Sequence, residues 1–131
     1  MIGVMTVIED GEVNKNEYRK FNIKGFSDAN DTGALLEMLS RRFAHPELPR
    51  PDLIVVDGGR AQKNVAEKFQ KKYGLAIPVV AVVKDERHKP KGILGIKKYT
   101  PKFDDIILLA NSEAHRFSIN AFRNKQRKSF I

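Results

Sequence analysis

Apolar positions alternate early in the chain and run together later. Ile2–Ile8 is apolar and rich in β-formers, and it ends in Glu9-Asp10-Gly11-Glu12, which has turn composition. Arg19-Lys20-Phe21-Asn22-Ile23 alternates, with Phe21 and Ile23 on one face, and reads as the returning strand of a hairpin. Residues 24–31 are loop-like. Asn30 or Asp31 can cap a helix to about Phe43 whose Leu35, Leu36, Leu39 and Phe43 share a face. His45-Pro46 and the prolines at 49 and 51 end it.

Leu53-Ile54-Val55-Val56 is an uninterrupted apolar run of strand length, the pattern of a strand covered on both faces. Asp57-Gly58-Gly59 follows at once. A helix is expected from about Ala61 to Tyr73, with Ala61, Val65 and Phe69 on one stripe and Gly74 as its stop. Val79–Val83 repeats the buried-strand pattern, so residues 52–83 read as strand–helix–strand with a parallel pair and a right-handed crossover. Residues 84–102 are basic and turn-rich, with a short hairpin expected through Ile93–Ile96. Asp104-Asp105 suit the start of a last helix reaching about Asn124. The order ββαβαβ plus a terminal helix makes an α/β domain with a mixed sheet, an antiparallel hairpin beside a parallel strand–helix–strand unit, flanked by helices.

At 131 residues the chain is expected to be a single domain. Its 41% hydrophobic and 31% charged residues argue against wholesale disorder. No apolar run is long enough to span a bilayer, and no secretory signal opens the chain. The absence of cysteine excludes disulfides, thiolate catalysis and Cys-ligated zinc, and fits a cytoplasmic protein. The net charge of +8 is one-sided. Residues 1–83 hold 12 Lys and Arg against 11 Asp and Glu, whereas residues 84–131 hold 12 against 5. A localised excess of this kind suits a phosphate backbone, or simply a solvated face.

Four groups of residues could carry chemistry. Asp57 closes a buried strand at the edge where open α/β sheets bind ligands, and Gly58 and Gly59 permit close approach of a metal or phosphate. It equally suits a helix cap. His115 lies mid-helix with Leu108, Ile119 and Phe122 at helical spacing, as a core histidine or as a ligand; an imidazole ligates only when neutral. Arg116, Asn120, Arg123 and Arg127 recur at helical spacing, with Lys125 and Lys128 nearby, and residues 116–131 hold no acid. They read as a phosphate-tracking ridge, or as a solvated helix end. Lys84-Asp85-Glu86-Arg87-His88-Lys89 follows a strand and reads as a substrate loop or as an exposed charged loop. Asp104 and Asp105 read as helix-end residues rather than ligands. No Walker loop, Ser-His-Asp arrangement or HExxH pattern is present.

Five segments occur in the order of a known family: Tyr18-Arg19-Lys20-Phe21-Asn22-Ile23, Arg41-Arg42-Phe43, Asp52–Gln62 with its Asp57-Gly58-Gly59, Lys84–Lys89, and Glu113-Ala114-His115-Arg116-Phe117. Over nearly its whole length the chain resembles the C-terminal RNase H-like endonuclease domain of the UvrC subunit of the bacterial excinuclease. The resemblance implies the incision 5′ of a DNA lesion in nucleotide excision repair. It implies Asp57 as a metal-binding carboxylate, His115 in place of a third catalytic carboxylate, and Mg²⁺ or Mn²⁺ as the ion. Gly58, Gly59 and Gln62 would support the site, and Lys84, Arg87, Lys89, Arg116, Arg123 and Arg127 would meet DNA. Its implied partners are DNA, a UvrB-type helicase subunit and UvrA.

The family's first catalytic aspartate lies on a strand preceding the one matched by Ile2–Ile8, and no such strand is in this sequence. In the family's sheet that strand is central, between the hairpin and the Asp57 strand. The chain is therefore expected to be N-terminally truncated relative to the family, to leave two sheet edges unpaired, and to be inactive alone. A homo-oligomer or a strand-supplying partner could fill the gap. The alternative is a non-catalytic nucleic-acid-binding or scaffold module that keeps the fold.

Overall fold

The computed structural model describes residues 2–23, 31–87, 89–95 and 101–123. Strand β1 (Ile2–Met5) pairs antiparallel with β4 (Arg19–Asn22), Ile2 opposite Asn22 and Met5 opposite Arg19. Between them β2 (Ile8–Glu9) and β3 (Glu12–Val13) form a short ribbon. It turns at Asp10 and Gly11, both at positive φ (54° and 81°), the signature that matches hairpin twist. The single strand expected over residues 2–8 is thus broken at Thr6-Val7. The Thr6 hydroxyl turns instead to the Ala110 carbonyl, 3.1 Å away on the final helix α3 (Pro101–Arg123).

Helix α1 (Asp31–Arg42) leads to β5 (Ile54–Asp57), which is joined by α2 (Arg60–Lys72) to β6 (Val79–Lys84). The β5–β6 pair is parallel, with Asp57 opposite Val82, as the strand–helix–strand reading requires. Strand β7 (Pro90–Leu94) then pairs antiparallel with β6. It starts before the expected Ile93; Ile96 lies outside the described residues, as do 24–30. Gly74, at φ 68°, ends α2 where only a residue tolerant of left-handed backbone fits. Helix α3 starts at Pro101 rather than at Asp104, because proline's fixed φ and missing N–H suit a first helical turn.

Alternation on β6 shows why this segment is apolar throughout. Val79 and Ala81 face a core with Leu39 of α1, Val56, and Ala66 and Phe69 of α2. Val80 and Val82 face Ile107 of α3, with Leu53, Val55, Ile93 and Leu108 around them. The sheet is therefore covered on both sides. The hairpin has its own core, Phe21 and Ile23 against Ala34, Met5 and Met38. Among the described residues β1–β4 and β5–β6–β7 are separate sheets, so β1 and β5 each keep an unpaired edge, as expected.

Three stripes lie rotated from their expected phase. Leu36 is 46% exposed, because α1 wedges between two cores and turns Ala34 and Met38 to the hairpin and Leu35, Leu39 and Phe43 to the sheet. On α2 the buried residues are Ala66, Phe69 and Gln70, while Ala61 is exposed at the first turn. On α3 the buried line is Ile107, Asn111 and Ala121, and His115 and Ile119 are exposed.

Candidate functional site at the carboxyl ends of β5 and β6

The apolar run of β5 stops at Asp57, while pairing with β6 carries on one residue into the turn. The Gly58 N–H still donates to the Val82 carbonyl at 3.1 Å. Gly58 adopts φ 140°, and a Cβ there would lie 2.7 Å from Gln62 Cδ. Both facts call for glycine. The Gly59 N–H donates to Gln62 Oε1 at 2.9 Å, so Gln62 satisfies an otherwise orphaned amide at the start of α2. Gln62 is a brace of the turn, and Gly58 and Gly59 are the turn itself.

Side chains alternate across a strand, so Val55 and Asp57 of β5, and Val80, Val82 and Lys84 of β6, share the α3 side. Three polar groups meet there. The Lys84 ammonium lies 2.7 Å from Asp57 Oδ1. Asn111 Nδ2 lies 3.5 Å from the same oxygen, at the limit of a hydrogen bond. Asn111 is 5% exposed, the Lys84 side chain 18%, and the Asp57 side chain 62%. The carboxylate faces solvent while its two partners are drawn from the protein's interior side.

Asn111 was not singled out in the sequence. The signal was available, since it is the polar residue closing the apolar run Ile106–Ala110 and lies one helical turn before His115. His115 is exposed and makes no hydrogen bond or ion pair among the described residues, which removes the core-histidine reading. Arg116 does not join Asp57. Its Nε and Nη2 donate to the two oxygens of Glu113 at 2.8 and 2.9 Å, and the Tyr18 hydroxyl donates to Glu113 Oε1 at 2.8 Å. Arg116 first and Tyr18 second hold the Glu113 carboxyl down at about 2, whereas burial first and Glu113 second push the Tyr18 hydroxyl up to about 12. The Tyr18 and Phe117 rings meet at 5.2 Å, and Lys20 Nζ lies 5.5 Å above Phe117. This cluster ties the hairpin to α3.

The loop after β6 is built on Asp85. Its Oδ1 accepts the N–H groups of Arg87 and Lys89 at 2.8 and 3.0 Å, and its own N–H donates to the Lys89 carbonyl. Arg87 and Lys89 are exposed at the same end of β6 as Asp57. Arg123 ends α3, its side chain outside the description; Arg127 and His88 lie outside the described residues. Asp104 and Asp105 are exposed near the start of α3, where acidic side chains favour the helix dipole.

Mg²⁺ and Mn²⁺ take several hard oxygen ligands. Among the described residues no group of three or more His, Cys, Asp or Glu side chains could hold a metal. The carboxylate at the strand end is one, and it already carries an ammonium. The described residues do not by themselves make a divalent-cation site. Among the described residues no helix is long and apolar enough to cross a membrane.

The family model for the UvrC RNAse H endonuclease domain matches residues 1–125. Curated relatives called UvrABC system protein C include that of Caldanaerobacter subterraneus subsp. tengcongensis, 34% identical over 98% of this chain and 25% of the relative. Those of Lachnospira eligens and Caldicellulosiruptor saccharolyticus are each 37% identical, over 99% and 97% of this chain and 24% and 23% of their own length. The chain thus spans about a quarter of the relatives it matches.

Proposed function

Because the chain belongs to the UvrC RNase H endonuclease domain family, we propose that it forms one domain, residues 1–131, of a DNA-incising nuclease, and contributes Asp57 to the incision 5′ of a lesion during nucleotide excision repair. The observation that carries this reading is the placement of Asp57. It is an exposed carboxylate at the carboxyl end of a parallel strand, set by a glycine turn, facing a helix that bears His115 one turn beyond Asn111. Such an edge is where α/β sheets do chemistry.

RNase H-like endonuclease domains are generally metal-dependent. In a longer protein Mg²⁺ or Mn²⁺ would need ligands beyond the described residues of this chain, and the isolated chain is inactive. His115, exposed on α3 one turn beyond Asn111, is the second catalytic group. Lys84, Arg87, Lys89, Arg116, Arg123 and Arg127 supply positive charge toward the DNA backbone, with Arg116 oriented by Glu113. The protein works in the cytoplasm with a UvrB-type helicase subunit and UvrA. The unpaired edges of β1 and β5 receive a strand from outside the 131 residues, either from the rest of a longer polypeptide or from a second copy.

In a protein of the relatives' length containing this chain, Asp57→Asn and His115→Ala abolish 5′ incision of a lesion-bearing duplex and leave its affinity unchanged. Replacing Arg123 and Arg127 together by Ala weakens binding and lowers its salt dependence. Full incision by both site variants would refute the enzyme reading. One observation favours the second reading, a nucleic-acid-binding or scaffold module: Asp57 is already neutralised by Lys84. That reading requires incision to survive Asp57→Asn.

A further inference from the structure

Helix α2 carries charge that the composition of the chain conceals. Residues 1–83 are nearly balanced, yet α2 holds five cations, Arg60, Lys63, Lys68, Lys71 and Lys72, against the single acid Glu67. Glu67 is taken by Lys63. Arg60, Asn64, Lys68 and Lys71 are all exposed and recur at i, i+4, i+8 and i+11, on the face turned away from the buried Ala66, Phe69 and Gln70. Among the described residues none of these three cations makes a side-chain hydrogen bond or ion pair, whereas Arg19, Arg41, Lys63, Lys84 and Arg116 each meet a carboxylate. The helix dipole accounts for Lys71 and Lys72 in the last turn. It does not account for Arg60, which stands in a first turn without an acidic residue, where a cation is unfavourable. Nor does it account for Lys68, which repels Lys71 and Lys72 at i+3 and i+4. An anion from outside the chain would relieve both.

We propose that this outer face of α2 is a second ridge for the DNA backbone, with Arg60, Lys68 and Lys71 as its phosphate contacts. It rests on the reading that the chain acts on DNA, but not on the roles given to Asp57 and His115. The charges form a line, which suits a regular chain of phosphates better than a single anion. From Arg60 to Lys71 the helix rises about 16 Å, the length of about five phosphates along one strand. The line starts beside the Gly58-Gly59 turn, at the edge that bears Asp57, and runs down the face of the sheet opposite α3. Lys84 and Arg116 belong to the α3 side. Helix α2 thus extends the positive surface to the face that they do not serve. Such contacts hold the backbone in place and read no sequence.

The test is duplex DNA binding by a protein of the relatives' length containing this chain, followed by fluorescence anisotropy over a range of salt. Arg60→Gln, Lys68→Gln and Lys71→Gln are combined in one variant, since glutamine keeps helix propensity at three exposed positions. The slope of log affinity against log salt is expected to become shallower by about 0.9 for each phosphate released, up to about 2.7, with affinity about tenfold lower at low salt. Lys15→Gln, Arg50→Gln and Lys91→Gln together remove the same net charge from three exposed positions elsewhere, and are expected to leave the slope unchanged. An unchanged slope in the α2 variant would overturn the ridge, as would an equal change in both variants, which would make net charge the only cause. Failure of the unaltered protein to bind duplex DNA would overturn the DNA reading and the ridge with it. Incision that survives Asp57→Asn would remove the nuclease role of Asp57 and leave the ridge standing.

Discussion

The Tyr18–Glu113–Arg116 cluster makes a stability prediction that can be worked from its geometry. Glu113→Gln keeps the shape of the side chain and removes its charge. Two contacts weaken. The Tyr18 hydroxyl, on a residue 6% exposed, exchanges a charged acceptor for a neutral one, at a cost of about 1 kcal/mol. The paired Arg116 contacts involve a side chain 44% exposed, so solvent limits their loss to about 1 kcal/mol. The sum is about 2 kcal/mol. The fall of the Glu113 carboxyl from 4.5 to about 2 sets an upper bound of about 3–4 kcal/mol, which solvent screening at the half-exposed Arg116 lowers. A carboxyl held low in the folded state stabilises it fully above its unfolded value. The contribution then declines as pH falls from 4.5 and is gone below about 2. Urea unfolding of the two chains should therefore differ by about 2 kcal/mol at pH 7, and the gap should close between pH 4.5 and about 2. Tyr18→Phe is the companion variant. It retains the ring against Phe117, costs about 1 kcal/mol, and moves the acid-side loss to higher pH by removing one of the groups that hold Glu113 low. Stabilities within about 0.5 kcal/mol of each other at pH 7, or a gap of constant size down to pH 2, would refute the reasoning.

Two other outcomes follow from the backbone. Gly58→Ala places a Cβ 2.7 Å from Gln62 Cδ at φ 140°, and is expected to destabilise the chain by about 1–3 kcal/mol in thermal unfolding; an unchanged midpoint would show that the turn relaxes. The unpaired edges of β1 and β5 predict self-association or strand capture by the isolated chain, so sedimentation velocity should show species larger than 14.9 kDa; a well-folded monomer at all concentrations would count against strand supply.

Local pattern was enough for most of the elements, though not for the break at Thr6-Val7 or the β2–β3 ribbon. The β6 segment reads as a doubly covered strand because five consecutive apolar residues need two apolar faces, and α1 and α2 on one side and α3 on the other provide them. Gly74 announces the end of α2, and Asp57-Gly58-Gly59 marks a strand end and a tight turn, because backbone conformation at such positions depends on the residue itself. The recognisable order of segments carried the family. Tertiary structure decided which faces turn inward and which charges meet. Leu36 and Ala61 sit on reasonable apolar stripes and are nevertheless exposed, since helical phase is settled by what the helix packs on and α1 must serve two cores. His115 leaves the apolar stripe for the same reason. The Lys84–Asp57 pair joins residues 27 apart and the Tyr18–Glu113 bond residues 95 apart. No periodicity encodes such pairs, because they depend on the register of parallel strands and on the seat of α3 across both sheets, and only the packed chain sets these.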